Sequence, residues 1–584
     1  MFEEQLWHAA TEGDCELVKS LSSDFSVDVN KPNGNKGDTP LHIACRLGRL
    51  EVFKVLLENP RVDVVKDNAH GGTPFSMACF TGSLEMVSAL LADPRVDVLK
   101  PSNDGTTPFF VACQEGHVEV VRLLLADPRI DVTCTDVDGA TPFYAACQFA
   151  RAGVVKLLAR DPRVDVAQAR DDGTSPFSVA CQHGNLDVVV LLINDPRVDV
   201  AKVDREEYSP FYVACQSGFK EIVTLLLADP RVDVNHPKET GATPFYIACQ
   251  NGKTEVVRTL LANPKVNVTG AMNSGETPFY VACENGHPEV LSLLLGDPRI
   301  DPNEPSNDGV TPFIISCYRG HTVLMGMLLA DPRIEVNKST PDGASPFFIV
   351  CQEGHTEGIA LMLSNLRVDV NSSLKDGATA FTFSCEVGRE AVVTQLLADP
   401  RIDVNWANST SSTPLWYASQ NGHLHVVQHL LASDRDIDTK VVSTFNNKTA
   451  ANQARLMGSS LRGVDETDEE FQRRQLHCPS IVQLIEDYEQ DKVAVKLRLR
   501  SLPGIREDLI RRTFALVVFH TDNFVRMGPA ASPEASRFFK IASELPLELQ
   551  MVLCHRLFGS QKDIILSRDS EVTFRHLVKS GSWL

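Results

Sequence analysis

The sequence predicts a mostly α-helical chain: an α-solenoid of stacked helix-turn-helix-hairpin units followed by a C-terminal helical module. Three observations predict it. Thr-Pro or Ser-Pro stands at Thr39, Thr73, Thr107, Thr141, Ser175, Ser209, Thr243, Thr277, Thr311, Ser345 and Thr413, each a multiple of 34 residues from the one before, and Thr379-Ala380 fills the remaining place, as repeated units of one architecture require. Inside each period the apolar residues recur twice at helical spacing, with a short break between the two runs. Beyond about residue 450 the period and the Thr-Pro pairs stop.

Residues 1–36 read as an N-terminal capping repeat, because Leu6 to Leu21 keeps the apolar pattern without the Thr-Pro opening. The array spans 37–450. In the copy from Gly105 to Asp138, Thr107 is placed to accept the free N–H groups of a helix start, and Pro108 takes the first helical position, where its missing N–H costs nothing. Phe109, Ala112 and Cys113 share one apolar side until Gly116 offers a left-handed stop. Val118, Val120, Val121, Leu124 and Leu125 mark a second helix, which Pro128 ends. Ile130 to Thr135 is extended, and the Asp138-Gly139 turn leads to the next Thr-Pro. A polar linker or capping loop is predicted at 451–475, acidic from Asp465 to Glu470. A helical region follows at 476–584, with helices at Ile481 to Tyr488, Leu509 to Val525, Ser536 to Ser543, Leu547 to Phe558 and Glu571 to Val578.

Charge narrows the partners. The net charge of −20 repels phosphate backbones and anionic lipid, which argues against nucleic acid. Apolar runs such as Val188 to Ile193 and Phe514 to Phe519 are far too short for membrane insertion, and Met1 to Ala10 is acidic and lacks a leader pattern. The expectation is an intracellular protein, cytoplasmic, with a nuclear location left open. Residues 455–584 carry a net +1, so the array itself carries −21.

The segment TPFFVACQEGHVEVVRLLLADPRIDV resembles the ankyrin repeat, with its TPLHxA opening, Gly-His turn and Leu-rich second helix, and residues 37 to 438 match it throughout. The departures are systematic. The period is 34 instead of 33, Phe replaces Leu in ten copies from Phe75 to Phe381, and the motif's His survives only as His42. The resemblance implies that this His ties neighbouring repeats by hydrogen bonds, so its role is expected to pass to packing by Phe110, Tyr144, Tyr212, Tyr246, Tyr280, Phe348 and Trp416. The family is often hydroxylated on asparagine just past the second helix, where Asn235, Asn337, Asn371 and Asn405 stand.

Twelve copies in one chain sort framework from surface. Eleven of the fifteen cysteines, Cys45 through Cys385, occupy one alanine-sized column. Stacked helices lie about 8–10 Å apart, and a disulfide needs Cα atoms within about 7 Å, so buried free thiols are expected. The Asp-Pro-Arg-x-Asp motif, as at Asp93 to Asp97, reads as a helix stop with a dipole-complementing Arg. The residues after each column cysteine vary instead. The resemblance implies that first helices and hairpin tips line a concave groove that binds partners, which makes Gln114, Glu115, Gln148, Phe149, Gln182, His183, Gln216, Gln250, Asn251, Glu284, Asn285, Tyr318, Arg319 and Gln352 candidate partner-binding residues. The recurring Gln suits recognition of peptide or loop backbone; a solvated helix face is the alternative.

No catalytic constellation, cofactor cradle or small-molecule substrate site is evident. His423, His425 and His429 lack the intervening Glu of an HExxH site. Near the C-terminus, Leu545, Pro546, Leu549, Leu553 and Leu557 are similar to the start of an F-box, which docks substrate receptors onto a cullin ubiquitin ligase. The primary expectation is a non-enzymatic scaffold that binds other proteins. The alternative is a ligase adaptor with the array as its substrate receptor.

Overall fold

A computed structural model describes residues 2–34, 36–463 and 466–506. Helices dominate, and three isolated bridges (Asn33 with Asp38, Ser373 with Thr379, Ser443 with Lys448) are the extended pairings among the described residues. The predicted hairpin arms are therefore held by turns rather than by a ladder. The chain divides into two compact units, Met1–Asn273 and Ser274–Leu584.

The repeat from Gly105 shows how sequence becomes structure. Its helices are Pro108–Glu115 and Val118–Leu125. The Thr107 hydroxyl accepts the Phe110 N–H at 3.3 Å, a cap that contributes about 1 kcal/mol. Gly116 ends the first helix at φ +86°, and its N–H donates to Ala112 O at 3.1 Å. The one aligned copy that lacks glycine at this point strains instead: Ala150 takes φ +58°, in a region disfavoured for a residue with a Cβ. The ten column phenylalanines are buried throughout, each side chain worth about 1.5–3 kcal/mol on removal from water.

The column cysteines are free and wholly buried, and burial above all pushes their thiols far above the ordinary range, with a smaller contribution from a neighbouring cysteine at Cys45, Cys113 and Cys215. First helices of successive repeats pack on one another within each unit, as Pro176–His183 does on Pro210–Ser217.

Hydrogen bonds between repeats take a form that the sequence does not reveal. His42 does reach across, its Nε2 donating to Gly72 O at 2.9 Å. Where Phe or Tyr replaces it, the aromatic ring is buried. A second bond between repeats comes from the residue after the turn, whether or not the His is kept: Arg49 Nε donates to Thr11 O at 3.0 Å in the repeat of His42, His117 Nε2 to Phe80 O at 2.8 Å, and His355 Nε2 to Tyr318 O at 3.0 Å. Arg151 Nε does the same to Gln114 O at 2.7 Å, and Asn185 Nδ2 to Gln148 O at 2.8 Å. The Asp-Pro-Arg motif adds a second staple. Asp127 holds the Arg129 guanidinium in a fork, and Arg129 Nη2 donates to Leu91 O of the preceding repeat at 2.8 Å, satisfying a helix-end carbonyl. The same bond recurs from Arg197 to Ala159 O at 2.7 Å and from Arg401 to Leu363 O at 2.6 Å. Asn337 is a third: its Nδ2 donates to Arg367 O and its Oδ1 accepts the Asp369 N–H, both at 2.8 Å. Asn235, Asn371 and Asn405 do likewise.

The expected loop at 451–475 is largely helical: Ala450–Ser459 and Asp468–Gln490 are helices. A capping box starts the second, with Thr467 and Glu470 satisfying each other's backbone N–H groups. Its buried stripe includes Arg474 and Cys478 beside Ile481, Leu484, Ile485 and Tyr488, which is why apolar periodicity detects only its second half. This helix closes the array by standing in for a further repeat. Arg473 Nε donates to Asn421 O at 3.1 Å and the His477 ring bonds Gly422 O at 3.1 Å, at the end of the last first helix, where a following repeat would place its own donor. Helix Lys492–Arg500 adds Arg500 Nε to Ala432 O at 2.9 Å and the Lys492–Asp436 ion pair at 3.0 Å.

Cys215→Leu is expected to destabilise the chain by about 1–3 kcal/mol, since a filled alanine-sized slot admits two more methyl groups only by overpacking. Urea unfolding followed by circular dichroism measures it, and an unchanged midpoint would show that the slot has spare room.

Candidate protein-binding face

The last turn of each first helix carries the residues that vary. These helices end one or two residues after the column cysteine, so the two following side chains point away from the slab. In the first unit Phe149 is 45% exposed, and Gln182, His183 and Asn251 are exposed. Gln114, Glu115, Gln148, Gln216 and Gln250 are half-buried there. In the second unit Tyr318 is 47% exposed, Asn285 and Arg319 are exposed, and Glu284 and Gln352 are half-buried.

Several of these side chains are spent on the frame. Asn251 Nδ2 donates to Gln216 O at 3.2 Å, and Arg319 pairs with Glu284 across adjacent repeats at 2.7 Å while lying over the Tyr318 ring. Asn285 Nδ2 and the His183 ring bond carbonyls one turn back, at Val281 and Val179. Phe149, Gln148, Gln182 and Gln216 remain as side chains whose identity the repeat geometry does not set.

The backbone pattern is now sufficient to place the chain in a family. A family model for ankyrin repeats matches residues 6–101, 94–169, 150–238, 230–306 and 347–441. The chain is an ankyrin repeat protein. A comparison with curated proteins finds no match. The ankyrin match stops short of Leu545, Pro546, Leu549, Leu553 and Leu557, and these F-box-like residues lie outside the described residues.

The array's histidine cluster has structural partners. His423 Nε2 bonds Glu386 O at 2.9 Å and His429 Nε2 bonds Glu390 Oε1 at 3.0 Å. Among the described residues no three His, Cys, Asp or Glu side chains gather as metal ligands, and no helix is long and apolar enough to cross a membrane.

Two features of the second unit escape a reading of the variable columns alone. Four residues past each repeat-opening Thr or Ser, the side chain is Ile, Val, Met or Ala in ten copies, but Phe383 and Tyr417 in the last two. Beside them an open cavity of about 790 Å³ is lined by Phe383, Glu386, Val387, Asn421, His423, Met457, Leu461 and the start of the closing helix. Burial, with Arg473 nearby, lowers the His423 imidazole to about 4, and burial together with Asp376 raises the Glu386 carboxyl. The aromatic switch was visible in the aligned copies; the cavity was not, because its far wall comes from the helix at 468–490.

A histidine harder to protonate folded than unfolded removes stability as pH falls from about 6.5 towards about 4. His423→Asn keeps an amide donor for Glu386 O, as Asn185 does in its own repeat. Melting temperature against pH is expected to fall less steeply for this variant across that window; parallel curves would show that His423 titrates normally.

Proposed function

We propose that the chain is a non-enzymatic scaffold that holds a partner protein along the ends of its first helices, where Phe149, Gln182 and Gln216 mark the first unit's share of the face. One observation carries this reading. Repeats that share capped helices and buried columns keep Gln at the first position after the cysteine from Gln114 to Gln250 but differ at the second, where Glu115, Phe149, His183, Ser217 and Asn251 stand, exposed or half-buried. A framework role would select one residue; recognition of a non-repeating surface needs many.

The physical mechanism is preorganisation. Staples between successive repeats within each unit hold its share of the face before a partner arrives, so binding orders few backbone dihedrals and loses less entropy. A glutamine offers two N–H donors and a carbonyl acceptor, matched to the alternating groups of an exposed peptide backbone. Phe149 supplies the aromatic anchor of the kind that dominates interface energetics.

The experiment compares the full chain with the triple variant Phe149→Glu, Gln182→Arg, Gln216→Arg, and with an outer-face control, Glu119→Lys with Arg122→Glu. Partners are captured with the wild-type chain, identified, and titrated against each variant. At least ten-fold weaker binding is expected for the triple variant, with melting temperature within about 3 °C of wild type, and no change for the control. Loss of binding in the control with the triple variant unaffected would place recognition on the second helices and overturn the proposal.

A further inference from the structure

The cavity in the second unit combines a carboxylate without an ion pair among the described residues and Phe383, one of the two aromatic residues in its column. Glu386 stands one residue after its column cysteine, as Glu284 does three repeats earlier. Glu284 is neutralised by Arg319 of the next repeat at 2.7 Å. The residue equivalent to Arg319 for Glu386 is Asn421, and it spends its amide on Glu386 O at 2.7 Å, leaving the carboxylate alone. No ion pair reaches Glu386 among the described residues, and Asp376 from the neighbouring turn adds to its negative field.

The lining's other charged side chains are two of each sign, Arg473 and Arg474 against Glu466 and Glu470. Arg474 grips Glu466 with two hydrogen bonds, at 2.5 and 2.6 Å. Arg473 spends its Nε on Asn421 O, and the N–H and hydroxyl of Thr467 hold the Glu470 carboxyl below the usual range, with a smaller contribution from Arg473. By that count Glu386 leaves the lining one net negative charge, with the Phe383 ring on the repeat side and the apolar Val387, Met457 and Leu461 around the opening; Tyr417 lies near Glu386 but outside the lining. Leu461 is 91% exposed. A cation with an aliphatic stem suits the side of the lining that Glu386, Phe383 and the apolar rim form. Its charge meets the carboxylate, its stem covers the apolar rim, and aromatic faces attract cations within about 6 Å of the ring.

We propose that this cavity is a binding pocket for a positively charged side chain, a lysine or arginine presented by a protein partner. The inference rests on the scaffold reading and deepens it by naming what the last repeats select. Two columns of the internal alignment depart together here: ten aliphatic residues give way to Phe383 and Tyr417 in the same two repeats where the acid loses its arginine. Phe383 packs on Phe348 and the Tyr417 hydroxyl accepts from Asn408 Nδ2 at 2.9 Å, but stability does not explain the lost arginine, because a half-buried carboxylate without a partner is unfavourable.

The test uses the full chain and the capped peptide acetyl-Ala-Ala-Lys-Ala-Ala-amide, with arginine and norleucine versions, in saturation-transfer NMR titrations at about 0.15 M salt. The lysine and arginine peptides are expected to bind through their side-chain methylenes, and norleucine, which keeps the stem without the charge, is not. Glu386→Gln and Phe383→Ile, the latter restoring the residue of earlier repeats, are expected to weaken binding at least ten-fold. Glu255→Gln, an exposed acid in the first unit, is expected to leave it unchanged. Absence of binding to wild type, equal binding of norleucine, or equal weakening by Glu255→Gln would overturn the pocket. Each of those results leaves the scaffold reading standing, since that is scored by partner capture with variants in the first unit.

Discussion

The interface between one repeat and the next is the interaction on which everything else in this structure depends. A single unit of 34 residues has two short helices, each below the length at which an isolated helix is stable in water. Its column phenylalanine and cysteine find an apolar environment only when a neighbouring first helix lies against them. The slab of buried rings and thiols is therefore the source of cohesion, and the thiols' resistance to ionisation reflects how completely water is excluded.

Hydrogen bonds give that cohesion its register. Each staple joins side chains of one repeat to backbone carbonyls of the previous or the following one, so a repeat satisfies its helix ends with its neighbours' help. Arg129, His117 and Asn337 do this at three heights of the unit. The exposed fork between Arg129 and Asp127 adds little by Coulomb attraction alone; its value lies in aiming Nη2 at Leu91 O. At the C-terminal side the chain must end this pattern, and Arg473 and His477 do so from a single long helix.

Much of this was legible in the sequence. Thr-Pro or Ser-Pro marked the first helix in eleven of the twelve aligned copies, a turn glycine marked its end in all but the copy with Ala150, and apolar periodicity found the second helix to within a residue in the copy at Gly105. What escaped has a physical explanation. The acceptors of Arg129 and His117 lie 38 and 37 residues back and are backbone atoms, which no residue pattern marks. The first part of the helix at 468–490 looks like a polar loop because its buried residues there are Arg474 and Cys478, whose burial depends on contacts that only the folded array supplies. The binding face was legible as a set of positions, because copies that share a framework expose what they do not share. The cavity near Glu386 was not, since it needs residues from repeat and closing helix together.

The dependence of each repeat on its neighbours is tested most directly by hydrogen exchange, read by mass spectrometry, on the full chain carrying Phe245→Ala. The substitution removes a buried ring, a loss of about 3–5 kcal/mol. If stability resides in the interfaces, exchange rises in Pro244–Gln250 and also in Pro210–Ser217, the first helix packed against it. Faster exchange confined to residues 243–262 would show that each repeat is held by its own contacts, and would contradict the account.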